Sequence, residues 1–138
     1  MQAYGKTRLL ICLLLTFVPM GVSAGHPRLD GLDPTVTEVT LLPKFCWGQF
    51  LKDKFKGPRF HIPVQTCGVY TNHYCPALIS LARANRSLED RLKRGYLRFA
   101  EDGVAYTLRN TRKYPHCPIR AEAMRMYRLI KREQSLFQ

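Results

Sequence analysis

Aromatic and lysine side chains alternate in residues 44–74, and their combination suggests a binding surface. Aromatic rings can stack on bases or sugars while ammonium groups meet phosphate or carboxylate. The densest part of the tract consists of Trp47, Phe50, Lys52, Lys54 and Lys56. The same pattern is typical of the core of a small lobe whose lysines keep it soluble. This tract is therefore a candidate binding surface, with a purely structural role as the alternative.

The second candidate is the basic C-terminal half. Residues 83–138 contain 14 basic and 6 acidic side chains, and such an excess favours polyanions or an acidic partner protein. The candidate cations of this half are Arg91, Lys93, Arg94 and Arg98. They fall on more than one side of a helix, so the pattern does not single out one narrow stripe. A solvated outer face is the alternative interpretation.

Histidines offer limited support for catalysis or metal binding. His61 and His73 are possible acid-base groups for a small secreted hydrolase, but no paired acidic motif, serine elbow or phosphate loop accompanies them. A zinc site would need His73, Cys75, His116 and Cys117, whose spacing matches no common zinc pattern. We therefore assign no catalytic residue, no metal and no cofactor.

The N-terminus has the pattern of a secretory signal peptide. Lys6 and Arg8 precede an apolar stretch at residues 9–22, and a small-residue site ends at Ala24. Cleavage after Ala24 is expected; an uncleaved anchor is the alternative, although Pro19 and Gly21 interrupt the stretch. No later segment is apolar over a membrane-spanning length. The sequence therefore predicts a secreted or periplasmic protein without a transmembrane span in its mature chain.

Helical periodicity dominates the chain after Cys75. A first short helix ends near Arg86, and its apolar face consists of Leu78, Leu81, Ala82 and Asn85. Ser87 and Asp90 resemble a capping box that opens a second helix. The stripe of this second helix comprises Leu88, Leu92, Tyr96, Phe99, Gly103 and Tyr106. A third helix begins at Pro118, with the inward positions Ile119, Ala123, Met126, Ile130 and Phe137.

These elements predict a mainly α fold in one domain, since 138 residues leave room for little more. A three-helix C-terminal bundle follows an irregular aromatic N-terminal lobe. The predicted organisation is a signal peptide at residues 1–24, an arm at 25–43 and one disulfide-linked helical domain at 44–138. Within the arm, residues 35–42 are compatible with either a helix or a strand.

Four cysteines remain after removal of the signal peptide, and in an oxidising compartment they predict two disulfides. Three helices joined by short connections place the first and third N-termini at one end of a bundle. Cys75 and Cys117 occupy those two helix starts. We therefore favour a Cys75–Cys117 bond, which leaves Cys46 to pair with Cys67.

Three segments carry a family resemblance: HYCPALISLARANR, the helix over residues 88–110, and HCPIRAEAM. Over residues 72–130 the chain resembles small exported bacterial proteins with tetratricopeptide-like helical hairpins. Gly103, Thr107 and Asn110 depart from the usual packing positions, and the chain has room for little more than one and a half repeats of about 34 residues. The resemblance implies a partner-binding or scaffolding role.

The leading functional hypothesis is thus a non-enzymatic protein-interaction module that contacts another protein in the exported compartment. The first alternative is a polyanion-binding protein for nucleic acid or acidic glycan, and the second is the small secreted hydrolase.

Overall fold

The computed structural model describes residues 33–137, apart from the side chain of Tyr70. The signal-peptide prediction and the first part of the arm lie outside these residues. The six α-helices are α1 (Val36–Thr40), α2 (Trp47–Phe50), α3 (Val64–Cys67), α4 (Tyr74–Arg86), α5 (Asp90–Asn110) and α6 (Pro118–Ser135). Three 3₁₀ helices lie at Lys44–Cys46, Pro58–Phe60 and Val69–His73. No strand occurs in the described part of the chain, and the mainly α prediction is confirmed.

The three long helices begin and end close to the predicted residues. α4 begins at Tyr74 instead of Pro76, and α6 begins at Pro118 as predicted. The capping box predicted from Ser87 and Asp90 is wrong. The Ser87 hydroxyl donates to the Glu89 carbonyl, and Glu89 is the N-cap residue of α5 without a side-chain capping bond.

α5 is the central helix, and this position corrects the predicted stripe. It packs against both α4 and α6, while α4 and α6 make few contacts with each other. Because α5 is covered on two sides, its buried face is centred on Leu97, Ala100 and Val104. Leu88 and Leu92 of the predicted stripe are exposed. The predicted helical period of 3.6 residues is therefore correct, but the buried face is rotated around the helix from the predicted stripe.

The disulfide pairing differs from the favoured one. Cys46 is bonded to Cys75 and Cys67 to Cys117, with Cα–Cα distances of 5.6 and 4.8 Å. Both helix starts do carry a cysteine, but the lobe packs between them and supplies each with its partner. α3, which ends at Cys67, contacts α6 directly. The two bonds therefore connect the lobe to the bundle. The predicted pairing would instead have placed one bond within the lobe and one within the bundle.

The segment that was compatible with helix or strand is helical. Thr35 is the N-cap of α1, and its hydroxyl accepts from the Glu38 N–H at 3.2 Å. The Glu38 carboxylate accepts from the Thr35 N–H in return, which completes a capping box. The same carboxylate accepts two bonds of 2.9 Å from Arg83 and one of 3.1 Å from Arg86. One acidic side chain therefore both caps α1 and fastens it to α4.

We expect Glu38→Gln to lower the free energy of unfolding at neutral pH by about 2 kcal/mol, because it removes charge-assisted hydrogen bonds. Hydrogen bonds from Arg83 hold the pKa of Glu38 at about 2, below its ordinary 4.5. A carboxyl with a lowered folded-state pKa stabilises the fold above its unfolded-state pKa and loses that effect as pH falls through the folded value.

Urea unfolding from neutral pH to about pH 2 measures this difference. The gap between wild type and Glu38→Gln should shrink below about pH 4.5. Glu89→Gln removes an exposed carboxylate without an ion pair in residues 33–137 and serves as the matched control. A gap of constant size across the whole range would contradict the assignment.

Candidate functional site

The aromatic side chains of the lobe pack against one another. Trp47 is stacked near Phe60, with ring centroids 6.0 Å apart, and meets the edge of Phe55 at 5.0 Å. Its indole N–H donates to the Leu42 carbonyl at 3.0 Å. Phe50 is half-buried against the main core. The Trp47 ring therefore contacts other aromatic rings of the lobe, as expected if this tract forms the core of the lobe.

The three predicted lysines of the lobe, Lys52, Lys54 and Lys56, are exposed in the turn between α2 and the 3₁₀ helix at Pro58–Phe60. The backbone N–H groups of Lys54 and Phe55 both donate to the Leu51 carbonyl, which closes this turn. The lysines therefore lie on a separate element from the predicted cations of α5. The structure does not bring the two sets together on one helix.

On α5, the structure separates the four predicted cations. Arg91, Arg94 and Arg98 are exposed on the outer side of the helix. Lys93 points toward α6, where its Nζ lies 3.7 Å from Glu133 Oε2 and 5.2 Å from the centre of the Phe137 ring. Lys93 therefore contributes to the packing of α5 on α6, whereas the three arginines are available to a ligand.

Two further exposed arginines, which the sequence pattern did not single out, extend this outer side. Arg109 lies five helical turns after Arg91 on α5. Arg112 lies in the turn that follows the end of α5 at Asn110. The 18-residue spacing between Arg91 and Arg109 was the signal that could have revealed the longer row. We call Arg91, Arg94, Arg98, Arg109 and Arg112 the arginine stripe.

The two candidate catalytic histidines belong to different contacts. His73 packs on Tyr106 with ring centroids 4.1 Å apart, and burial lowers its pKa. His61 is exposed in the lobe and lines an open hollow of about 290 Å³ together with Arg59 and Glu122. Tyr74 follows His73 in the chain. Burial raises the pKa of its phenol, and Glu122 raises it further. The phenol is therefore protonated at neutral pH.

Metal-binding donors do not cluster in the part of the chain that is described. Residues 33–137 hold no group of three His, Cys, Asp or Glu side chains that could bind an ion. Cys75 and Cys117, which the zinc alternative required as thiolates, are each bonded to a cysteine of the lobe. This arrangement removes both sulfur ligands from that alternative.

An open groove of about 270 Å³ lies between α4 and α6. All four residues of the predicted apolar face of α4 line it: Leu78, Leu81, Ala82 and Asn85. Met126 and Glu122 form the α6 wall, and the segment after α1 adds Leu41, Leu42 and Pro43. The apolar face predicted for α4 is thus real, but no helix of the described chain covers it. We call this feature the α4–α6 groove.

Further exposed side chains of α6 lie outside the lining of the groove. Leu129 follows Met126 by one turn, about 60° around the helix, and Leu136 lies directly after the last residue of α6. Their exposed fractions are 42% and 72%. Arg125 and Arg132 are also exposed, about 100° and 120° around α6 from Met126. Within the groove itself, α6 contributes the apolar Met126 and the acidic Glu122.

None of the helices among the described residues is long and apolar enough to cross a membrane. Two disulfides are consistent with an extracellular or periplasmic location. No family model, curated protein or solved structure matches this chain.

Proposed function

We propose that this protein is an exported, non-enzymatic interaction module that receives a segment of a partner protein in the α4–α6 groove. The proposal includes secretion or periplasmic export after removal of residues 1–24. The observation that carries it is the apolar face of α4, which has helical spacing in the sequence and lines an open groove. The tetratricopeptide-like resemblance of residues 72–130 supports the same general role.

The groove has the chemistry of a peptide-binding site. Leu78 and Leu81 of α4 face Met126 of α6 across a hollow large enough for several apolar side chains. Burying apolar surface in such a groove stabilises a complex by about 25 cal/mol per Å² before the costs of association. Helix-in-groove recognition uses apolar anchors at i, i+3, i+4 and i+7. The proposed partner segment is therefore an amphipathic helix.

Glu122 lines the groove, but the exposed arginines of the same helix and the positive charge of the whole chain favour an acidic partner. Arg125 and Arg132 have no carboxylate within ion-pair distance among residues 33–137. Glu38 at the opposite rim is already bound by Arg83 and Arg86. The whole chain has a formal charge of +12. It would therefore repel a second copy of itself but attract an acidic segment of another protein. The proposed partner carries Asp or Glu beside its apolar anchors.

A labelled amphipathic peptide tests the groove directly. Its leucines follow helical spacing and its remaining positions are mainly glutamate; an isomeric peptide with scrambled leucines is the control. We expect Leu41→Ser in the protein to weaken binding of the ordered peptide by about tenfold, because Leu41 lines the groove and is 75% exposed, so the change removes an accessible apolar contact. Fluorescence anisotropy measures both peptides against wild type and variant.

Leu88→Ser is the matched control variant, since Leu88 is fully exposed and does not line the groove. It should bind the ordered peptide as wild type does. Equal binding of the ordered and scrambled peptides would contradict the proposal, because it would indicate attraction by net charge alone. Equal losses in Leu88→Ser and Leu41→Ser would contradict it as well.

A further inference from the structure

The arginine stripe is a second surface, and it faces away from the residues that pack against α4 and α6. At 100° per residue its four arginines within α5 fall within a sector of about 60° around the helix, and Arg112 lies in the turn after it. The buried residues Leu97, Ala100 and Val104 occupy the other side. From Arg91 to Arg109 the stripe extends over about 27 Å. It is therefore a long, narrow and nearly straight row of cations.

These cations are not neutralised within the described chain. Arg91, Arg98, Arg109 and Arg112 have no carboxylate within ion-pair distance in residues 33–137. Arg94 lies 6.0 Å from the Phe137 ring, and its charge also remains uncompensated there. Four like charges along one face of α5 repel each other and destabilise the isolated helix. A bound polyanion would relieve this repulsion.

We infer that the arginine stripe binds a linear acidic polysaccharide lying along α5. Guanidinium groups form bidentate hydrogen bonds with carboxylates and with tetrahedral anions such as phosphate or sulfate, which a row of lysines would bind only as point charges. A straight row of such groups matches a chain that carries repeated acidic substituents. The ligand proposed for the stripe is therefore of a different chemical class from the partner segment proposed for the α4–α6 groove.

Nucleic acid fits the structure less well. Binding of single strands relies on exposed aromatic rings on which successive bases stack. Among the side chains that the structure describes, none of the aromatic rings is largely exposed, and those of Trp47, Phe55 and Phe60 contact each other. The export expected from the N-terminal sequence also places the protein in a compartment where acidic glycans are available.

Asp102 divides the stripe into two parts. It is exposed on the same side of α5, one helical turn after Arg98. Of the other two carboxylates of α5, Glu101 is turned toward α6 and bound by Lys131 and Gln134, and Asp90 is the first residue of the helix, ahead of the stripe. A ligand that spans the whole stripe must pass the negative charge of Asp102. Asp102→Asn should therefore strengthen polysaccharide binding.

The test compares two triple variants with the same loss of charge. Arg91→Gln/Arg94→Gln/Arg98→Gln removes three charges from the stripe, and Lys52→Gln/Lys54→Gln/Lys56→Gln removes three from the lobe. Heparin oligosaccharides of graded length serve as the probe, with binding measured by calorimetry between about 50 and 200 mM salt. Thermal unfolding confirms that each variant is folded.

We expect the stripe variant to lose about tenfold in affinity and to show a shallower salt dependence, while the lobe variant changes little. Asp102→Asn should bind more tightly than wild type, and longer oligosaccharides more tightly than short ones. Equal losses in the two triple variants would overturn the inference, because net charge alone would explain them. Tighter binding of a DNA duplex than of heparin at the same salt would overturn the polysaccharide assignment.

Discussion

Replacing Cys67 and Cys117 together with alanine should lower the free energy of unfolding by about 4 kcal/mol. The bond spans 50 residues, so its removal restores much conformational freedom to the unfolded chain. It also releases the lobe from the start of α6. Equilibrium unfolding in urea without reductant measures the loss.

The double replacement of Cys46 and Cys75 should cost somewhat less, about 3.5 kcal/mol, because that bond spans 29 residues. Single replacements are unsuitable, since each leaves an unpaired thiol that can exchange with the remaining disulfide. Mass mapping of the unreduced wild type provides the independent check of pairing. A peptide joining Cys75 to Cys117 would contradict the structure and restore the pairing favoured from the sequence.

Gly103→Ala should destabilise the fold by about 1 to 3 kcal/mol, although alanine is the better helix former. A Cβ at this position would lie 2.8 Å from the His73 carbonyl oxygen and 2.9 Å from Ala77 Cβ. The first of these atoms belongs to the backbone, so the N-terminal end of α4 would have to move away from α5. Thermal and urea unfolding measure the effect.

Gly95→Ala in the same helix is the matched control. Nothing lies within 4 Å of a Cβ built at Gly95, and this residue is exposed. Here the helix propensity of alanine should dominate and stabilise the protein by up to about 1 kcal/mol. Opposite signs for the two substitutions identify Gly103 as the point of closest approach between α4 and α5. A stabilising Gly103→Ala would contradict that packing.

The long helices could be predicted from the sequence because local signals determine them. Pro118 starts α6 where proline is tolerated, and Ile119, Ala123, Met126 and Ile130 are buried as their spacing predicted. These signals depend on residues within a few turns of one helix. They do not depend on what packs against it.

The faces of α4 and α5 were harder to predict, because they depend on the neighbours. The face of α4 that contains Leu78 and Leu81 has the expected period, yet it lines an open groove. On α5, Leu97 and Ala100 are buried because two helices enclose them. The spacing of apolar residues shows which side chains share a face of the helix. It does not show which of these faces another helix will cover.

The disulfide pairing required information that the sequence does not contain. Four cysteines permit three pairings, and the choice depends on how the lobe packs on the helices. The arginine stripe was missed for a different reason. In the sequence Lys93 lies among Arg91, Arg94 and Arg98, and its different direction concealed the common direction of the three arginines. The ion pair of Lys93 with Glu133 separates it from them.

The groove and the stripe are two chemically distinct faces of the protein. The apolar residues of the α4–α6 groove favour a protein segment, and the arginines on the outer side of α5 favour a polyanion. Neither surface resembles a catalytic centre, since His61 and His73 lie in separate contacts. Variants on one surface should leave binding at the other unchanged, because the two share no residue.

Site-specific photo-crosslinking in the native exported compartment tests the central claim most directly. A photoreactive amino acid replaces Leu41, which lines the groove, and Leu88 outside the groove serves as the control position. We expect Leu41 to crosslink to one defined acidic, amphipathic segment, identified by mass spectrometry, and Leu88 not to do so. Crosslinks to that segment from both positions, or from Leu88 alone, would contradict a partner seated in the α4–α6 groove.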